Sequence, residues 1–165
     1  MPGLEDLYRE IILDHYRNPR NRGELPVPPA HRSEGFNPLC GDEISLYLDV
    51  KDGVVHDVRI AAQGCSISQS SASMMSVAIK GKTVDEVREL SRQFKGMMSI
   101  HESSLGGDGT DEDGNGADEP VEVDERRLGD LAALQGVVKF PPRIKCATLA
   151  WITLTQGLDE VEQGA

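Results

Sequence analysis

Leu4, Leu7, Tyr8, Ile11 and Ile12 recur at three- and four-residue spacing, which predicts an amphipathic helix from residue 4 to about residue 17, ended by Pro19. From Gly23 to Pro38 the chain carries Pro26, Pro28, Pro29 and Pro38 and shows no apolar period, so a loop is expected there. Next, Ile44, Leu46, Leu48 and Val50 alternate with Ser45, Tyr47 and Asp49, and the stretch from Val54 to Ala62 is rich in β-branched residues. Asp52-Gly53 between these two runs is a hairpin signal, because a two-residue turn needs positive φ at both positions. Two antiparallel strands follow from that pattern.

Beyond the hairpin the period turns helical. Ser66 to Lys80, closed by Gly81, reads as a helix starting just after Cys65. Thr83-Val84-Asp85-Glu86 is a capping box that opens another helix, with Val84, Val87 and Leu90 inward. Asp124 to Gln135 reads as a short helix on Leu128, Leu131 and Leu134. Pro141 and Pro142 begin the last helix, whose Leu149, Ala150, Trp151 and Leu154 face the core. A helix, a hairpin and then several helices indicate an α+β fold rather than a doubly wound sheet. A chain of 165 residues suits one domain, taken here as 1–165.

The net charge of −11 is local in origin. Glu102 to Glu125 holds ten acidic residues and no Lys or Arg, leaving 17 basic against 18 acidic residues in the rest of the chain. The segment at about 101–121 is rich in Gly, Asp, Glu and Ser, the composition of a flexible, solvated insert. No basic stripe with interleaved aromatics is present, so nucleic-acid binding finds no support. No apolar run approaches the roughly 18 residues of a membrane span, and the N-terminus is charged where a secretory signal would be apolar, so a cytoplasmic protein without a membrane partner is expected.

The chemistry is concentrated in three cysteines, Cys40, Cys65 and Cys146, with Asp42 two residues after the first. An odd number of thiols in a reducing compartment favours metal or thiol chemistry over a disulfide framework. Three thiolates and one carboxylate complete a tetrahedral shell that suits Zn²⁺ and also accommodates iron in a cluster. Cys65 is expected at a helix N-terminus, whose partial positive charge favours an anionic sulfur. A lone cysteine is otherwise a small buried hydrophobe, and Asp42 after Gly41 also reads as a turn former. His15, His31, His56 and His101 lie away from the cysteines in sequence and read as surface or structural residues.

Four segments in order carry a resemblance: Asp14-His15-Tyr16-Arg17-Asn18-Pro19-Arg20-Asn21-Arg22-Gly23, Asn37-Pro38-Leu39-Cys40-Gly41-Asp42, Gly64-Cys65, and Pro141-Pro142-Arg143-Ile144-Lys145-Cys146-Ala147. From about Leu4 to about Leu158 the chain resembles the IscU/NifU N-terminal family of iron–sulfur assembly proteins. That likeness implies a small antiparallel sheet of about three strands packed against several helices. IscU-type scaffolds have a Leu-Pro-Pro-Val-Lys chaperone segment and a histidine before the third cysteine; here Phe140-Pro141-Pro142-Arg143-Ile144-Lys145-Cys146 stands in their place. An extra segment around 96–120 is a further departure. All three features resemble the SufU subgroup.

Membership of that subgroup implies zinc held by Cys40, Asp42, Cys65 and Cys146. It also implies a sulfurtransferase-like role, in which Cys40 accepts persulfide sulfur from a SufS-like cysteine desulfurase and passes it to the Suf cluster scaffold complex. Arg143 is a possible support for an anionic persulfide. The alternative is a scaffold that assembles a [2Fe–2S] cluster on the same residues, with iron in place of zinc. A third reading makes the zinc purely structural in a binding module.

Overall fold

The computed structural model describes residues 4–27, 29–38, 41–104, 128–139 and 141–162, with positions 4–6, 99–104, 138–139 and 141–142 described by backbone alone. In chain order the elements are α1 (Leu4–Arg17), β1 (His31–Asn37), β2 (Asp42–Lys51), β3 (Val54–Gln63), α2 (Ser66–Ile79), α3 (Val84–Ser104), a 3₁₀ helix η1 (Gly129–Lys139) and α4 (Pro141–Glu162). The fold is α+β, a three-stranded antiparallel sheet in the order β1-β2-β3 with the helices packed against it. No helix among the described residues is long and apolar enough to cross a membrane.

The hairpin of β2 and β3 follows the alternation in sequence. Ile44, Leu46 and Leu48 of β2 and Val55, Val58 and Ile60 of β3 are buried in the core. Asp52 and Gly53 take φ of 54° and 75°, the twist that a two-residue turn needs, and Lys51 pairs with Val54 across it. A bulge between Asp49 and Val50 resets the register beyond.

β1 departs from the expected loop. Its inward positions are Ser33, Gly35 and Asn37, none of them large or apolar, so the strand carries no hydrophobic alternation. The reason is close approach of α4. A Cβ on Gly35 would collide with Thr153 Oγ1 and press on Ile44 and Leu149, while Gly157 of α4 lies against Ser33 and Leu48. Small residues on both sides let helix and strand meet, and Ser33 Oγ donates to Thr153 O at 3.0 Å.

The segment expected as a short helix on Leu128, Leu131 and Leu134 is a 3₁₀ helix, and it continues to Lys139. Leu128, Leu131, Leu134 and Val137 are all buried and lie three residues apart. Three residues per turn put them on one face, whereas an α-helix would rotate each about 60° from the last. Thr83 caps α3 as expected, with Glu86 N donating to Thr83 Oγ1 at 3.1 Å. That helix extends to Ser104, so the acidic insert begins as helix, and 105–127 lies outside the described residues.

The core is centred on α4, where Trp151 stacks on Phe94 of α3 with ring centroids 4.7 Å apart and both side chains fully buried. Truncating a buried aromatic leaves a cavity that the surroundings fill only in part. Phe94→Ala is therefore expected to lower the unfolding free energy by about 3–5 kcal/mol in urea denaturation; a loss within ~0.5 kcal/mol, the range of ordinary surface substitutions, would contradict this account of the core.

Candidate metal centre

Asp42 opens β2, paired across the sheet with Asn37 at the end of β1. Gly41, with φ of 69°, turns the chain into it, and Gly41 N donates to Asn37 O at 2.9 Å. At the other side of β2, the end of β3 runs through Gly64 to Cys65. Gly64 has φ of 147°, and a Cβ there would overlap Asp42 Oδ1. Glycine is thus required twice over at this position, for its backbone angle and for the space that the carboxylate occupies.

Cys65 is the N-cap of α2 in an extended conformation, and its Sγ accepts from Ser68 N at 3.4 Å. Cys65 N donates to Asp42 Oδ1 at 2.9 Å, and its Sγ lies 3.9 Å from Asp42 Oδ2. One carboxylate therefore takes a backbone N–H with one oxygen and faces a sulfur with the other. Cys146, in the first turns of α4, completes the group: the ligand atoms of Asp42, Cys65 and Cys146 all lie within 4.8 Å of one another. Tetrahedral zinc with bonds of about 2.0–2.3 Å has ligand–ligand edges of roughly 3.3–3.8 Å. A contraction of up to about 1.5 Å would bring the trio to that size.

Burial tests whether a metal suits these residues. Asp42 and Cys146 are fully buried and Cys65 is half-buried. Among the described residues no Lys, Arg or His forms an ion pair with Asp42. A desolvated carboxylate without a cation is costly, and a dication held by one oxygen and two sulfurs offsets that cost. The donor set is that of zinc or of an iron–sulfur site, so the residues fit the group.

Cys40, expected as the fourth ligand and the reactive thiol, lies outside the described residues. Arg143 and Lys145 are exposed on the first turns of α4, three and one residues ahead of Cys146, and the three-residue spacing puts Arg143 and Cys146 on neighbouring parts of the helix surface. Among the histidines, His15 is buried and structural: its Nδ1 faces Ser73 Oγ at 2.8 Å and its Nε2 faces Asp130 at 3.2 Å. His31 meets Glu160 at 3.1 Å, His56 is exposed, and the side chain of His101 lies outside the described residues. The space that Gly64 leaves for Asp42 had no signal in the sequence beyond the Gly-Cys pair itself.

A meander backed by helices, carrying a buried carboxylate and two sulfurs at one end, defines an α+β domain with a site fit for a metal. The chain belongs to the NifU-like N terminal domain family, which it matches over residues 7–147. It is 42% identical over 161 residues to the zinc-dependent sulfurtransferase SufU of Bacillus subtilis, covering 98% of this chain and 95% of that protein. It is also 35% identical over 157 residues to the iron–sulfur cluster assembly scaffold protein IscU of Thermotoga maritima, covering 95% of this chain and 96% of that one. A crystal structure of a SufU from Fervidobacterium islandicum, named as a candidate iron–sulfur cluster assembly scaffold for the SUF system, superposes with a TM-score of 0.74 at 32% identity, covering 94% of this chain and 99% of that one. The protein is a SufU-like member of this iron–sulfur cluster assembly family.

Gly64→Ala tests the carboxylate cradle. The variant is expected to bind Zn²⁺ at least about tenfold more weakly in chelator competition, because the methyl group displaces Asp42. Wild-type affinity in a normally folded variant would show that Asp42 does not depend on this space.

Proposed function

We propose that this protein is a zinc-dependent sulfur acceptor that takes persulfide sulfur from a cysteine desulfurase of the SufS type and delivers it to the Suf cluster scaffold complex. The observation that carries the reading is the convergence of Asp42, Cys65 and Cys146, with ligand atoms within 4.8 Å of one another, in a chain so close to a protein named as a zinc-dependent sulfurtransferase. Cys40, Asp42, Cys65 and Cys146 would hold the metal. When bound, zinc is redox-inert and keeps sulfur ligands deprotonated at neutral pH.

Chain geometry supports Cys40 as the fourth member. It lies two residues before Asp42, so its Cα is within about 7 Å of that of Asp42, and residues 38–41 join the paired ends of β1 and β2. A thiol on such a short connection between strands is suited to meeting a partner's active site. In the transfer step the Cys40 thiolate attacks the outer sulfur of the donor's persulfide. A new sulfur–sulfur bond forms to Cys40, the donor's sulfur–sulfur bond breaks, and the electron pair leaves on the donor's cysteine sulfur. The step is thiol–disulfide exchange and needs no outside oxidant or reductant. Arg143, one helical turn before Cys146, would support the anionic product.

Lys145 supports transfer over scaffolding, since an exposed lysine directly before Cys146 does not supply the neutral nitrogen ligand that a histidine would. The near-full-length likeness to proteins named IscU favours the second reading, a scaffold for a [2Fe–2S] cluster. A single-turnover assay with a ³⁵S-persulfide-loaded desulfurase, together with metal analysis, separates them. Sulfur transfer predicts a colourless protein with about one zinc per chain and label on the wild type but not on Cys40→Ala. Full labelling of Cys40→Ala would remove Cys40 as acceptor, and a brown protein that hands a cluster to apo-ferredoxin would establish the scaffold instead.

A further inference from the structure

Several hydroxyls of α2 reach out of the helix, toward different neighbours. Ser70 Oγ donates to Ile12 O of α1 at 2.7 Å, Ser73 Oγ accepts from Arg20 N at 2.9 Å, and Ser71 Oγ donates to Ala147 O of α4 at 2.5 Å. Ser71 is fully buried, and Ala147 follows Cys146 directly in the chain. Cys65 caps the helix to which Ser71 belongs. The Ser71–Ala147 bond therefore joins the helix that begins at one sulfur to the residue next to the other.

This bond is not the ordinary choice for a helical hydroxyl. Ser and Thr inside helices usually donate to the carbonyl four residues back. Thr148, Thr153 and Thr155 of α4 all do so, bonding Ile144 O, Leu149 O and Trp151 O at 3.0, 2.8 and 3.0 Å. Ser71 instead directs its only hydrogen across to another helix. The Ala147 carbonyl has its place in the α4 ladder, so it does not need Ser71 for satisfaction. What the bond adds is register: apolar helix faces tolerate sliding, whereas a short hydrogen bond fixes two backbones to within a few tenths of an ångström.

We propose that Ser71 is a positioning residue for the metal centre, holding Cys146 at bonding distance from the ion that Cys65 and Asp42 share. The inference deepens the metal-site reading above and rests on it. Outer partners that orient metal ligands commonly account for ten- to hundredfold in affinity, so a loss of about tenfold is expected when the hydroxyl is removed.

The test is a Co²⁺ titration of the full chain followed by thiolate-to-cobalt absorption, with chelator competition for affinity and far-UV circular dichroism for fold. Wild type and Asp42→Ala come first: if the wild type shows no thiolate-to-cobalt band, the metal-centre reading fails and Ser71 has nothing to position. With the wild-type band in hand, Ser71→Ala is expected to bind about tenfold more weakly and with an altered band. Ser70→Ala, which loses the comparable tie to α1, keeps wild-type affinity. Ser71→Thr and Ser71→Val form a pair matched in shape that differs in the hydroxyl alone, and this pair decides the matter if Ser71→Ala does not fold. Thr retains the affinity and the band while Val loses them. Equal affinities for Thr and Val, or equal losses for Ser71→Ala and Ser70→Ala, overturn the proposal.

Discussion

A fully buried carboxylate with no basic side chain paired to it among the described residues is the feature that the architecture at this end of the molecule has to accommodate. Removing Asp42 from water costs several kcal/mol in the absence of compensation. A single N–H from Cys65, at 2.9 Å, returns only part of that. Cys65 Sγ, 3.9 Å from Asp42 Oδ2, donates to the carboxylate as a thiol and adds like charge as a thiolate. A cation between them would offset the burial of Asp42 and Cys146 and the closeness of Cys65, which is why the pocket suits a metal.

Building the site requires three chain segments spread over about a hundred residues, at 42, 65 and 146, to converge, and the sheet does the first part of the work. Because β2 is central, its first residue is flanked on one side by the end of β1, through the Asn37–Asp42 pair, and on the other by the exit of β3, through Glu43–Gln63. The exit leads at once into Gly64 and the cap of α2, so Asp42 and Cys65 are brought together by strand register and one left-handed residue. Cys146 arrives differently. It depends on how α4 lies against α2 and the sheet, an arrangement set by small residues at Gly35 and Gly157 and by the hydroxyl tie from Ser71.

These two routes explain what could be read from the chain in advance. The β2–β3 hairpin, the capping box at Thr83 and the start of α4 were legible because each is fixed by local pattern and turn chemistry. β1 was not, because a strand whose inner face is Ser33, Gly35 and Asn37 has its alternation erased by the helix that crosses it. The three-residue spacing of Leu128, Leu131, Leu134 and Val137 was visible as an apolar repeat, yet its period belongs to a 3₁₀ helix, and an α-helix was the simpler reading of the first three alone. At the site, the ligand types and their contexts were in the sequence. The Gly64 cradle and the Ser71 tie were not, since both are consequences of where distant segments meet.

The distribution of apolar burial bears on what the metal does. Zinc fingers depend on their ion to fold because they lack a core of their own. Here a continuous cluster runs from Ile44, Leu46 and Leu48 of the sheet through Met75 and Ile79 of α2 to Phe94, Trp151 and Leu158, independent of any ligand atom. Folding is thus supported by ordinary hydrophobic burial, which at about 25 cal/mol per Å² supplies the main driving force for a domain of this size. An ion bound by Asp42, Cys65 and Cys146 would act on local positions at one end: the first residue of a strand, a helix cap and the first turns of α4. A metal whose loss costs local order rather than the whole fold can have its ligands rearranged while the protein stays folded. That freedom is what the proposed transfer needs, since a sulfur in the shell would have to leave, accept a sulfur atom and return.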